Sequence, residues 1–96
     1  MKIGIIIIFH NNEDDIDTKY FIDKISQTKH LELCFVNNES RDSTYQLLEE
    51  IKYQCSNVSI VNIKKFKSDV SAVRAGARYM FSQYDLENWV TLQPIC

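Results

Sequence analysis

Little in this chain breaks a regular backbone. Its 96 residues include two glycines, Gly4 and Gly76, and one proline, Pro94. Neither G-x-G-x-x-G nor G-x-x-x-x-G-K occurs, which weighs against dinucleotide enzymes and P-loop NTPases. The same scarcity, with 45% hydrophobic and 25% charged residues, argues against a disordered or low-complexity chain. Charge of one sign is not in excess either. A net charge of −2 gives no reason to expect nucleic acid recruited by bulk charge. Cysteine is sparse and odd in number: Cys34, Cys55 and Cys96, with no C-x-x-C pair. A zinc or disulfide framework is not expected, and Cys34, set in an apolar run, reads as a buried thiol.

Long hydrophobic runs are absent as well. The N-terminal "GIIIIF" passes directly into "HNNEDD". It is too short to cross a membrane and lacks the small-residue cleavage site of a secretory signal. The reading is a buried strand in a cytoplasmic protein with no transmembrane segment. Two N-x-S matches, at Asn38 and Asn57, are read as chance. Length predicts one small domain over residues 1–96, with a thin core.

What is present is a regular alternation. Residues 2–8 are continuously apolar and β-branched, as in a parallel strand covered on both faces. Residues 14–28 carry Ile16, Tyr20, Phe21 and Ile25 at helical spacing, with Asn12 or Asp14 as candidate cap. A second strand is predicted over 31–37. A helix over 43–55 follows, with Thr44, Leu47, Leu48, Ile51 and Cys55 on one stripe. Residues 57–63 read as a third strand. Residues 69–83 read as a third helix, with Val70, Val73, Ala77, Met80, Phe81 and Tyr84 as its apolar stripe and Ser68 or Asp69 as its cap. The tail can begin a fourth strand near Trp89 to Leu92, which Pro94 would stop. The order β-α-β-α-β-α, with a possible fourth strand, predicts an α/β fold. It is Rossmann-like and three-layered α/β/α, with a small, mostly parallel sheet.

In such sheets ligands bind outside the carboxyl ends of the strands. Three polar segments should meet there: "FHNNE" (9–13), "NNESRD" (37–42) and "KKFKSD" (64–69). The first two supply acceptors and amide donors. The third supplies lysines beside a helix N-terminus, which suits a phosphate. Each segment also has a plainer reading. Ser40 or Asp42 can simply cap the second helix, His10 can be an ordinary loop residue, and the lysines can be a solvated face. No Ser-His-Asp or Cys-His arrangement stands out.

Taken together, "IIIIFHNNEDDI", "VNNESRDST" and "SAVRAGARYMF" resemble the N-terminal half of family 2 glycosyltransferases, which have the GT-A fold. The corresponding family patterns are a Pro-x-Tyr-Asn-type loop, a Val-Asp-Asp-Gly-Ser-x-Asp-x-Thr-type turn and an Ala-x-Arg-x-Gly-type helix start. The likeness covers roughly residues 2 to 84. It implies a region that binds a nucleotide-diphospho-sugar, of UDP type, for transfer of the sugar to an acceptor hydroxyl. By motif position, His10 falls where an aromatic residue stacks on the base. Asn38 falls on an aspartate that hydrogen-bonds the base, and Arg74 on an arginine near the nucleotide. The candidate nucleotide-binding residues are therefore His10, Asn11, Glu13, Asn38, Lys67 and Arg74.

The departures from the family pattern are specific. Ile8 stands for the usual proline, and Asn37 and Asn38 stand for two aspartates. The family's Asp-x-Asp follows its fourth strand, whereas "WVTL" here is followed by "QPIC". The Mg or Mn of a complete family member has no expected ligands in this chain, and no catalytic base is assigned. The domain is thus expected to be incomplete at its C-terminus, and whether it is an enzyme stays open. The alternatives are a non-catalytic Rossmann-like binding or interaction module, receiver-like or flavodoxin-like, and an inactive remnant. With only a short fourth strand, the first strand's edge is expected to be poorly covered and to favour self-association.

Overall fold

The computed structural model describes residues 3–28, 30–83 and 88–92. Four strands are present: β1 (Ile3–Phe9), β2 (Leu31–Asn38), β3 (Val58–Ile63) and β4 (Asn88–Leu92). They form one sheet in the order β3-β2-β1-β4, with every pairing parallel. Between them lie α1 (Thr18–Ser26), α2 (Thr44–Gln54) and α3 (Asp69–Gln83). This is the expected Rossmann-like α/β topology. The run from α3 to β4 carries the chain past β2 to the far side of β1, which makes the carboxyl end of β1 a topological switch point.

The first strand is not an edge, which corrects the expectation of a poorly covered "GIIII". β1 pairs with β2 from Ile3 to Phe9 and with β4 from Ile3 to Ile7. The short tail strand is long enough to match the apolar part of β1, so β3 and β4 are the sheet's edges. The strand buried on both faces is β2, where residues 32–38 are all buried. In β1 the even positions are buried, while Ile3, Ile5 and Ile7 are only half-buried.

Strand alternation sorts the core into two layers. On one face Phe9, Leu33 and Phe35 pack with Ile25 of α1 and with Leu48 and Ile51 of α2. Phe9 and Phe35 meet edge-to-face at 5.3 Å, a geometry worth about 1 kcal/mol beyond burial. On the other face Ile6, Ile8, Cys34 and Val36 pack with Ala72 and Met80 of α3. Burial without any polar partner pushes the Cys34 thiol up to about 12, so it stays protonated.

Two helices differ from the sequence reading. The segment over 14–28 divides into a 3-10 turn, Glu13–Asp15, and α1, because Asp17 rather than Asn12 or Asp14 caps the helix. The Asp17 carboxylate accepts from Tyr20 N at 3.1 Å. α3 is capped by Ser68, whose Oγ accepts from Ser71 N at 3.3 Å, but the helix is rotated from the expected stripe. Its buried face is Ala72, Gly76 and Met80, while Val70 and Phe81 are 64% and 79% exposed. The cause is close approach to the sheet. A Cβ at Gly76 would lie 2.8 Å from Val36 Cγ2 and 3.0 Å from Ile6 Cγ2. The helix therefore presents its smallest residues to the sheet and turns larger apolar ones outward. Tyr84 and Pro94 lie outside the described residues.

Candidate functional site

Loops after β1, β2 and β3 meet at the carboxyl edge, and most of their polar groups bond one another. The first loop, residues 10–13, is held by the second. Asn11 N donates to Ser40 Oγ at 3.0 Å, Asn12 N to Thr44 Oγ1 at 2.8 Å and Glu13 N to Asp42 Oδ2 at 3.2 Å. Asn11 Oδ1 in return accepts from Arg41 N at 2.7 Å. These bonds link residues 29 to 32 positions apart. The density of Asn, Ser, Asp and Thr after β2 thus has a structural use: it is the socket into which the first loop fits.

Asp42 has the most partners in the socket. Besides Glu13 N, its carboxylate accepts from Thr44 N at 2.9 Å and from Thr44 Oγ1 at 2.5 Å. The N-cap position of α2 is Ser43, which makes no side-chain cap bond, rather than the expected Ser40 or Asp42; Asp42, one residue before it, satisfies the Thr44 N–H instead. Slight desolvation pushes the Asp42 carboxyl up. The bonds from Thr44 and Glu13 outweigh it and hold the group below its ordinary value.

Both loops turn through left-handed backbone, at Asn11 with φ 51° and at Glu39 with φ 52°. Asparagine tolerates that region. Glutamate does so at a cost of roughly 1–2 kcal/mol. Glu39 N donates to Ile63 O at 2.9 Å, which fixes the turn against the end of β3.

Asn38 joins the second loop to the third. Its Nδ2 donates to Lys67 O at 2.9 Å, and its Oδ1 accepts from Lys67 N at 3.0 Å. The side chain is 1% exposed. An aspartate here would lose the donor and set an anionic oxygen against the Lys67 carbonyl. Its neighbour Asn37 donates from Nδ2 to Asn62 Oδ1 at 2.8 Å, while Asn37 Oδ1 is buried with no hydrogen-bond partner. Turning both amides end for end would leave the Asn37 NH₂ in the same condition.

His10 is exposed and lies over this junction. Its Nδ1 is 2.7 Å from Asn38 O. A carbonyl only accepts, so Nδ1 carries the proton, and in the neutral ring Nε2 has the lone pair. That lone pair faces Asn11 Nδ2 at 3.4 Å. The imidazole also meets Phe66 edge-to-face at 4.7 Å. Phe66 is half-exposed and sequence reasoning missed it. The available signal was an aromatic residue interleaved with lysines in "KKFK".

Of the six candidate residues, the structure brings His10, Asn11, Asn38 and Lys67 together through these bonds, and Glu13 sits on the same socket. Asn38 is turned inward on the Lys67 backbone rather than outward. Arg74 lies on the exposed side of α3. Among the described residues, the side chains of Lys64, Lys65, Lys67 and Arg74 have no hydrogen-bond or ion-pair partner, so Arg74 does not pair with Asp42 or Glu39. No three His, Cys, Asp or Glu side chains among the described residues converge to hold a metal ion. Nor is any helix among them long and apolar enough to cross a membrane. No family model matches the chain, and no curated protein matches it.

Proposed function

We propose that this chain is a nucleotide-diphospho-sugar-binding region of the family 2 glycosyltransferase kind, with its ligand at the carboxyl edge of the sheet. The observation that carries the reading is an exposed His10–Phe66 aromatic pair beside Lys67, a cation without a side-chain partner among the described residues, at the switch point of a 3-2-1-4 parallel sheet. Cations and the first amides of α3 suit a diphosphate. The ring pair suits a base.

Backbone geometry adds support. Glu39 is left-handed at the position where the family's Asp-Asp-Gly-Ser pattern has glycine, the residue that adopts this region without strain. Ser40, Asp42 and Thr44, the matched polar positions of that pattern, are those that hold the first loop. In this reading His10, Asn11, Glu13, Lys67 and Arg74 face the ligand, and Asn38 acts through Lys67 as a positioning residue. The described residues do not fit a Mg or Mn site. The proposal is therefore one of binding, and no transfer step is derived.

Isothermal titration with uridine diphosphate tests it. Weak binding is expected, lowered several-fold by Lys67→Ala and by Arg74→Ala, with melting temperature unchanged because both side chains are exposed and have no partner among the described residues. No heat with any nucleoside diphosphate, and no chemical-shift change at His10 or Phe66, would sink the reading.

A further inference from the structure

The charge of this chain is unevenly placed. Residues 64–82 hold five basic side chains, Lys64, Lys65, Lys67, Arg74 and Arg78, against one acid, Asp69. Residues 1–63 hold six basic and ten acidic side chains. The basic stretch is α3, on the face of the sheet opposite α1 and α2, with the loop before it, whereas six of the ten acids, Glu13, Asp14, Asp15, Asp17, Glu39 and Asp42, lie in the turns after β1 and β2. All five cations are exposed, and none has a hydrogen-bond or ion-pair partner for its side chain among the described residues.

The basic face is also apolar in a particular way. Val70, Arg74, Arg78 and Phe81 follow one another at helical spacing on the side of α3 opposite Ala72, Gly76 and Met80. That stripe is about 16 Å long. The loop that leads into it carries Phe66 between Lys65 and Lys67. Beside Phe81, residues Ala77, Arg78 and Ser82 frame an open hollow of about 400 Å³.

We propose that this face docks peripherally on an anionic lipid bilayer. Charge complementarity names the partner's sign, and the interleaved side chains name its class. A nucleic acid would pair the cations but leave Val70 and Phe81 in water. A bilayer surface takes both: acidic headgroups meet the Lys and Arg ends, while Phe66, Val70 and Phe81 enter the interfacial layer beside the aliphatic stems of the basic residues. This docking does not require the nucleotide reading. It shares Phe66 and Arg74 with that reading, while Lys64, Lys65, Arg78, Val70 and Phe81 are assigned to the bilayer alone.

Co-sedimentation of the whole chain with vesicles tests it, using phosphatidylcholine alone and phosphatidylcholine mixed with phosphatidylserine. Binding is expected to the mixed vesicles only and to weaken as salt rises. Lys65→Gln and Arg78→Gln should each lower the partition coefficient about five-fold. Phe81→Ser should lower it without changing the melting temperature, and Arg78→Gln should leave any uridine diphosphate binding intact. Absence of vesicle binding, equal binding to both vesicle types, or full binding by the triple Lys64, Lys65 and Arg78 glutamine variant would overturn the proposal. So would binding of single-stranded DNA by a chain that ignores vesicles, which would assign the face to nucleic acid.

Discussion

Two polar regions border the carboxyl edge, and they use their hydrogen-bonding groups in opposite ways. In residues 10–13 and 37–44, side chains bond the backbone of the neighbouring loop, and these acceptors have internal partners. In residues 64–82, five cations and three exposed apolar side chains have almost none among the described residues. A dense cluster of Asn, Ser, Asp and Thr looks like a ligand site and is mainly construction. A run of lysines looks like an ordinary wet surface, and it is where free binding capacity remains. Asn38 is the seam between the two, since its amide ties β2 to Lys67.

Cutting that seam should have the largest effect on stability. Asn38→Ala removes two hydrogen bonds from a buried side chain and should cost about 2–3 kcal/mol, lowering the melting temperature by roughly 10 °C or more. A near wild-type thermal transition would mean that the two regions are not joined as described. Relieving strain on the stitched side should have a smaller effect of opposite sign. Glu39→Gly keeps the backbone bond to Ile63 and should raise stability by about 1 kcal/mol, the left-handed cost less the extra freedom of an unfolded glycine. Urea unfolding checks this, and a destabilised variant would show that the Glu39 side chain has a role of its own. Neutralising the unpartnered side should change least. Lys64→Gln, Lys65→Gln and Arg78→Gln should each shift the urea midpoint by the equivalent of less than about 0.5 kcal/mol. A larger loss from any of them would break the contrast.

The fold was legible from periodicity alone, including the short fourth strand. Large apolar residues at spacings of two or of three and four mark strands and helices wherever the core is built from them. α3 shows the failure of that rule. Its core face is small, and Ala72 and Gly76 carry no weight in a hydrophobic pattern, whereas Val70 and Phe81 do and point the wrong way. The poor cover expected for β1 failed because β4, short as it is, pairs with β1 from Ile3 to Ile7 across most of the sequence. At the site, residue types were readable but their directions were not. Nothing in "NNES" says that Asn38 turns inward to Lys67, because that partner is 29 residues away. Phe66 went unweighed because its place beside His10 exists only once the first and third loops meet.

The two anchors of the third loop have a dynamic consequence. Residues 64–66 run between Ile63, held through Glu39 N, and Lys67, held through Asn38. A three-residue span tied at both ends samples few conformations in the free protein. Phe66 and the lysine backbones beside it therefore lose little freedom when a partner arrives. The ordering that commonly weakens binding by flexible loops takes place here during folding, so a ligand of the proposed kind would meet a segment already ordered.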